Sequence, residues 1–300
     1  MEQYKKQVAL LLNVIPEVAK ESCFALHGGT AINLFLRNMP RLSVDIDLTY
    51  IPVEDRAASF EAINLSLEKI KNTIEAYIPF SKVIHQKELL KLHISNDEAQ
   101  IKLEVNQGMR GLIYPIEKRV LCEAAQEQFD IFCAIDVVAI GQLYGGKLVA
   151  ALDRQHPRDL FDVNLLLAKE GFTDEVKIGF LYALLSSKRP IAEILFPNFI
   201  DQSQTFITQF EGMTKAPFNY EDFEAVRSAI LPIIYKSLDE SDKAFIIQFE
   251  NVTPDWNYYN FQSYPAVQWK LKNLAKLKQD NPIKHKLGVT LLQDKLSQLD

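Results

Sequence analysis

The chain has 300 residues, of which 48% are apolar and 24% are charged. These proportions are typical of a globular protein, and they exclude collagen, a coiled-coil array or a largely disordered chain as the main architecture. The net charge of −6 excludes a generally basic nucleic-acid-coating protein, so any contact with nucleic acid requires a local basic patch.

The first part of the chain predicts a mixture of strands and helices, because its apolar residues recur with period two in some segments and with helical spacing in others. The predicted strands are residues 23–26, 43–50, 89–95 and 99–105, and the predicted helices are residues 31–38 and 55–77. Asn96-Asp97 lies between the last two strands, as a hairpin turn requires.

From residue 136 onward the pattern is almost wholly helical, with helices predicted over 136–153, 159–169 and 174–186. We therefore predict an α+β fold, in which a mixed sheet with helices (residues 1–125) is followed by a helical C-terminal domain (residues 126–300). No apolar run is long enough to cross a membrane, and the N-terminal segment resembles an amphipathic helix more than a signal peptide. The expected location is the cytoplasm, with no membrane partner.

Gly28-Gly29-Thr30, between a strand and a helix, is the first candidate for a ligand site. Glycine lets the backbone turn sharply and approach a ligand closely. The free N–H groups at the start of the following helix suit phosphate oxygens, and Thr30 adds a hydroxyl donor. This pattern suits a triphosphate, and it is also typical of a tight turn that binds nothing.

Ser43, Asp45 and Asp47 alternate along the next strand, so they share one face while the apolar residues between them point to the core. Two neighbouring carboxylates repel each other unless a cation lies between them. Mg²⁺ prefers hard oxygen ligands and leaves coordination positions for phosphate oxygens. The pair therefore predicts one or two bound Mg²⁺ ions, the alternative being an exposed sheet face.

A third carboxylate, Glu104, lies on the polar face of the strand predicted over 99–105. It can complete the metal site of Asp45 and Asp47, or act as a general base on an acceptor hydroxyl. The alternative is a solvated side chain on an edge strand.

Lys147 and Arg154 are seven residues apart and share one face of the helix predicted over 136–153. A cationic pair on an otherwise apolar helix requires an anion, and a nucleotide phosphate is one. Asp159 suits a first-turn acid that complements the helix dipole. Asp162 can bind Arg154, Lys147 or the nucleotide sugar, with a structural salt bridge as the alternative.

Taken in order, these motifs resemble the nucleotidyltransferase superfamily with a polymerase-β-like palm. The motifs are Gly-Gly-Thr at 28–30, Arg-x-Ser-x-Asp-x-Asp at 41–47 and Lys-Leu-Glu-Val at 102–105. The later stretch 146–154, followed by Arg-Asp-Leu-Phe-Asp-Val at 158–163, resembles the AbiEii/AbiGii toxin family, the toxin half of AbiE-like type IV toxin–antitoxin systems. The matching motifs cover residues 27–162, and the one small departure is Thr30, where many relatives have Ser.

The resemblance implies Mg²⁺-dependent transfer of NMP from an NTP to an acceptor, with the helical domain contributing Lys147 and Asp162 to the site of the palm. The expected catalytic residues are Asp45, Asp47, Glu104, Lys147 and Asp162, and the first three are also the expected metal ligands. The expected nucleotide-binding residues are Gly28, Gly29, Thr30, Arg41, Ser43, Lys147 and Arg154.

The resemblance also implies growth arrest or abortive phage infection, restrained by a cognate antitoxin, with the 3′ end of tRNA as acceptor. The alternatives are NMP transfer to a protein hydroxyl, a nucleotide-binding toxin that acts without catalysis, and metal-assisted phosphate hydrolysis, which does not explain the Gly-Gly-Thr turn. The most basic stretch, residues 270–286, is then either a solvated helix face or a surface for tRNA or the antitoxin.

Overall fold

The computed structural model of the protein describes residues 2–299, which form two compact units. The first unit runs to Ala139 and includes Phe210–Pro217, whereas the second contains Ile140–Gln209 and the residues from Phe218 onward. The boundary predicted at residue 125 therefore lies ahead of the observed division, because the strand that ends at Val137 pairs into the sheet of the first unit.

The first unit contains a seven-stranded sheet and four helices. Its strands are β1 (Phe24–His27), β2 (Asp45–Tyr50), β3 (Lys82–Gln86), β4 (Lys91–Ser95), β5 (Gln100–Val105), β6 (Glu117–Val120) and β7 (Ala134–Val137). Its helices are α1 (Glu2–Val18), α2 (Gly28–Thr30), α3 (Arg56–Tyr77) and α4 (Glu123–Phe129), with a π-helical segment, Ala31–Leu36, directly after α2.

The strands lie in the order β3-β4-β5-β2-β1-β7-β6, and the sheet is mixed. β2 pairs with β5 and β1 pairs with β7 in parallel, while the other neighbours are antiparallel. This confirms the predicted mixed sheet of an α+β fold.

Helices α1 and α3 pack their apolar faces against the sheet and against each other. Val8, Leu11 and Ile15 recur at helical spacing on α1 and are fully buried, so their burial stabilises the packed position of the helix. Helix α3 begins after Asp55, whose carboxylate accepts hydrogen bonds from the backbone N–H groups of the first turn. Such a cap contributes about 1 kcal/mol to helix stability.

The segment Phe210–Pro217 belongs to the first unit although the chain on both sides of it belongs to the second. It forms an antiparallel bridge between Thr214 and Arg41. The amide of Leu42 donates to the carbonyl of Met213 at 3.1 Å, and the amide of Lys215 donates to the carbonyl of Pro40 at 2.9 Å. The segment thus fixes the chain immediately before β2.

The second unit is helical, as predicted for the C-terminal domain. Its helices are α5 (Ile140–Arg154), α6 (Pro157–Lys169), α7 (Asp174–Ser186), α8 (Ile191–Leu195), α9 (Ser203–Gln209), α10 (Tyr220–Ser237), α11 (Glu240–Glu250), α12 (Pro265–Asp280) and α13 (Pro282–Leu296). Within residues 2–299, no helix is both long and apolar enough to span a membrane.

Helices α5 and α7 contact each other backbone to backbone. A Cβ atom on Gly145 would lie 2.1 Å from the carbonyl carbon of Gly179, and one on Gly179 would lie 1.9 Å from the carbonyl oxygen of Gly141. No side chain fits at Gly145 or Gly179, so these two glycines allow the close approach of the two helices.

One predicted helix is wrong in its first turn. The helix predicted over 136–153 begins at Ile140, and the residues before it form β7. Ile135 and Val137 are buried while Asp136 between them is half-buried, which is the period-two pattern of a strand. Strands β3 and β6 were not predicted, because their exposed positions leave few apolar residues to mark the period.

We expect Gly145→Ala to lower the stability of the helical unit by about 1–3 kcal/mol or more, because the added methyl group overlaps backbone atoms of α7. The matched control is Gly288→Ala in α13, where an added Cβ meets no atom within 4 Å. Alanine should stabilise that helix by up to about 1 kcal/mol. The urea midpoint of each variant measures the difference, and equal midpoints for the two would contradict close packing of α5 on α7.

Candidate active site

The turn between β1 and α2 lies directly against β2. Gly28 has φ +71°, a backbone conformation that residues with a side chain rarely adopt, and a Cβ atom there would lie 2.4 Å from Oδ2 of Asp47. Both the backbone conformation and the space therefore require glycine. The consequence is that the turn and the Asp47 carboxylate are in contact.

The absence of a side chain at Gly29 leaves room for Arg41. A Cβ atom on Gly29 would lie 2.8 Å from a guanidinium nitrogen of Arg41 and 3.0 Å from the hydroxyl oxygen of Ser43. Arg41 is only 3% exposed, and its guanidinium donates to the carbonyl of Leu42 at 2.9 Å. The predicted nucleotide-binding residues Gly29, Arg41 and Ser43 are thus brought together.

Thr30 is fully buried, and its hydroxyl donates to the backbone carbonyl of Asp45 at 2.5 Å. The same oxygen lies 3.1 Å from the hydroxyl of Ser43. These contacts tie the start of the helical segment to the start of β2. Nucleotide binding by Thr30 stays a prediction, and the structure adds a positioning role for its hydroxyl.

The strand register brings the three predicted metal ligands to neighbouring positions of β2 and β5. Asp47 lies opposite Glu104, and Asp45 lies opposite Lys102. The carboxylates of Asp45 and Glu104 are half-buried, at 39% and 38% exposure. The polar face predicted from the alternation is therefore present, and it carries cations as well as carboxylates.

Two lysines engage these carboxylates. The ammonium of Lys102 lies 3.9 Å from Asp45 and 3.5 Å from Glu104, and that of Lys91 lies 3.0 Å from Glu104. In the part of the chain that the structure describes, no three His, Cys, Asp or Glu side chains converge as a set of metal ligands. Asp45 and Asp47 nevertheless supply hard oxygen atoms on one face, which suits Mg²⁺.

A second group of charged residues lies in the helical unit, where α5 meets α6. The ammonium of Lys147 lies 2.8 Å from Asp159 and 3.2 Å from Asp162, and all three side chains are at most 8% exposed. Arg154 adds two hydrogen bonds to Asp159, at 2.5 and 3.0 Å, although its own side chain is 62% exposed. The structure thus supplies Lys147 with two carboxylates of its own unit.

The charge of Asp159 depends on these partners. Burial raises the pKa of the Asp159 carboxyl, but Lys147 and Arg154 outweigh this effect and hold the pKa below its ordinary value. Asp159 is therefore an ionised group that bridges two cations. From the sequence, Asp159 is expected only to complement the helix dipole in the first turn. The feature that could have indicated its ion pairs with Lys147 and Arg154 is the helix face that it shares with Asp162.

The predicted site residues therefore form two groups, one in each unit. The first unit holds Gly28, Gly29, Thr30, Arg41, Ser43, Asp45, Asp47 and Glu104, and the second holds Lys147, Arg154 and Asp162 together with Asp159.

The lysine-rich stretch is only partly exposed. Lys270 is buried, and its ammonium donates to the carbonyls of Leu184 and Arg189 at 3.3 and 2.7 Å. Burial lowers the pKa of Lys270 to about 8. Lys270 is thus a packing residue of α12 and does not belong to a basic surface.

Comparison with known proteins identifies a family and solved structures of similar fold. The sequence model of the family described as nucleotidyl transferase AbiEii toxin, type IV TA system, matches residues 9–273. Among solved structures, the chain is similar to MenT4, a nucleotidyltransferase toxin from Mycobacterium tuberculosis H37Rv, with a TM-score of 0.64 and 15% identity. That match covers 91% of this chain and 93% of MenT4, and at this identity it shows a shared fold. No curated protein sequence matches.

We expect Asp159→Asn to destabilise the helical unit by roughly 3 kcal/mol, because Lys147 loses one of its two buried carboxylate partners. The matched control is Asp153→Asn near the end of α5, since Asp153 pairs with Arg189 where both side chains are partly exposed. Breaking an exposed pair costs less than about 1 kcal/mol.

The pH dependence gives this prediction a second readout. Because the pKa of Asp159 lies below its ordinary value of 3.8, its contribution to stability is complete above that pH and is lost as the pH falls further. The difference in urea midpoint between the wild type and Asp159→Asn should therefore narrow below about pH 4. A difference that stays constant down to pH 2 would contradict an ionised, paired Asp159.

Proposed function

We propose, since this chain belongs to the AbiEii family of nucleotidyl transferase toxins, that its nucleotidyltransferase reaction moves NMP from a Mg²⁺-bound NTP to the 3′ end of a tRNA. The observation that supports this proposal most directly is the contact between the Gly28 turn and Asp47, with Glu104 opposite Asp47 in the sheet. A turn that suits phosphate and a carboxylate that suits a metal are adjacent there.

The residues around the turn would bind the triphosphate. The backbone of Gly28 and Gly29 at the start of the helical segment offers N–H groups, and the guanidinium of Arg41 packs beside them. Arg41 supplies a fixed positive charge for phosphate oxygens, because it lies buried with its fork held by the carbonyl of Leu42. Thr30 and Ser43 would keep this arrangement in place through their mutual contact.

Asp45 and Asp47 would hold Mg²⁺ on the polar face of β2. When bound, the ion stabilises the negative charge that develops on the phosphates during transfer. Glu104 is the third carboxylate of the proposed site, as a ligand or as the base that accepts the proton of the attacking hydroxyl. Lys91 and Lys102 lie against Glu104 and offset part of the carboxylate charge.

Lys147, Arg154 and Asp162 stay predicted functional residues. The ion pairs of Lys147 with both aspartates, and of Arg154 with Asp159, support a structural role beside the functional one. We infer that the reaction takes place in the cytoplasm, where NTP and tRNA are available, and that modified tRNA arrests growth or aborts phage infection. A cognate antitoxin would relieve this arrest, as the type IV family description implies.

Asp45→Asn and Asp47→Asn should each lower the rate of NMP transfer by about 10³-fold or more, because each removes a carboxylate that stabilises the transition state through the metal. The fold should persist, since an amide replaces a carboxylate of the same shape on a half-exposed face. Asp97→Asn, in the exposed hairpin turn between β4 and β5, is the control and should transfer NMP at the wild-type rate. Labelled-NTP transfer and the thermal midpoint are measured together, and near-wild-type transfer by both β2 variants would refute the proposed site.

The acceptor is tested by incubating the protein and Mg²⁺ with each labelled NTP and a cell lysate. We expect label on RNA of tRNA length, and no label on the same RNA after periodate oxidation has destroyed its 3′-terminal hydroxyls. Label on protein would refute the RNA acceptor while leaving nucleotidyl transfer intact. Labelled NDP or NMP formed without any adduct would point instead to hydrolysis.

A further inference from the structure

The helical unit contains a cavity of about 460 Å³ that is formed by the end of α11, the residues that follow it, the end of α12 and one side of α13. Lys278, His285 and Lys286 line it. Among the described residues that line it, there is no aspartate or glutamate. A basic cavity in a chain with net charge −6 attracts anions locally.

The two lysines and the histidine of this cavity are held in different ways. The ammonium of Lys278 donates to the carbonyl of Asn251 at 2.9 Å, which fixes it at the wall. His285 is only 5% exposed, and its Nε2 lies 2.9 Å from the carbonyl of Glu250. Because a carbonyl oxygen only accepts, this nitrogen carries a proton and the ring orientation is fixed. Lys286 is exposed, so its side chain is able to change rotamer and contact a bound anion.

The remaining lining indicates what kind of anion fits. Ile247, Pro282 and Val289 give apolar walls, and Thr253 and Thr290 add hydroxyl groups. An inorganic anion gains nothing from apolar walls, whereas a nucleotide combines an apolar base with a charged phosphate. The volume lies within the range of about 300–1,000 Å³ that is usual for small-molecule sites.

We propose that this cavity is a nucleotide-binding site of the helical unit, in which Lys278 and Lys286 bind the phosphate and the apolar wall holds the base. It uses none of the residues proposed above for the NTP of the transfer reaction, and it does not depend on the identity of the acceptor. The nucleotide is either a free nucleoside monophosphate or one unit of an RNA strand, because both present the same groups.

The test uses the full-length protein, AMP as the probe and buffer without divalent metal, with binding measured by calorimetry. Lys286→Glu should weaken AMP binding about tenfold or more, since it replaces a phosphate partner by a like charge. Lys284→Glu is the matched control: Lys284 is an exposed lysine two positions away on α13 that does not line the cavity, and its loss should change affinity by less than about twofold.

Adenosine should bind at least about tenfold more weakly than AMP, and AMP binding should survive in the Asp45→Asn, Asp47→Asn double variant. An oligoadenylate that competes with AMP and binds more tightly than AMP identifies RNA as the source of the nucleotide, and one that binds equally or more weakly identifies a free nucleotide. The proposal is overturned by absence of AMP binding, by equal effects of the two lysine variants, or by loss of binding in the double variant. None of these measurements involves transfer, so their failure leaves the proposed reaction untouched.

Discussion

The contact between the Gly28 turn and β2 is the constraint on which the first unit depends. Gly28 has no room for a Cβ atom because Asp47 lies there, Gly29 has none because Arg41 lies there, and the hydroxyl of Thr30 is bonded to the carbonyl of Asp45. Each of the residues 28–30 is thus required by a different contact with the segment 41–47. The result is that a helix start and a pair of carboxylates are held side by side by the antiparallel pairing of β1 with β2.

In the helical unit, the charged residues Lys147, Asp159 and Asp162 are buried and paired with one another. Lys147, Asp159 and Asp162 are removed from water, and the desolvation of such groups usually cancels most of the attraction between them. The ion pairs therefore add little net stability while they are intact, whereas removal of one partner leaves an uncompensated buried charge. The glycine contact of α5 with α7 fixes the same helix on another side.

The alternation around Asp45 and Asp47 and the helical spacing of α3, α6 and α7 were readable from the sequence, because each is a local period. The strand β7 was not, since four residues are too few to mark a period beside a longer helix. The sequence placed Glu104 near Asp45 and Asp47, but the register that sets it opposite Asp47 and the burial of Lys270 depend on how distant segments meet, which no local pattern encodes. Asp159 was assigned too small a role because its first-turn position already had a sufficient local explanation.

The segment Phe210–Pro217 has a consequence for the order in which the protein is made. Residues 40–42 receive their backbone partners from a stretch that the ribosome delivers well over a hundred residues later, after half of the helical unit. A nascent chain that has just reached Ala139 has every strand of the sheet and yet leaves the backbone beside Arg41 unpaired. A polypeptide that stops short of Phe210 therefore lacks the backbone partners of residues 40–42, the segment that contains the arginine beside Gly29.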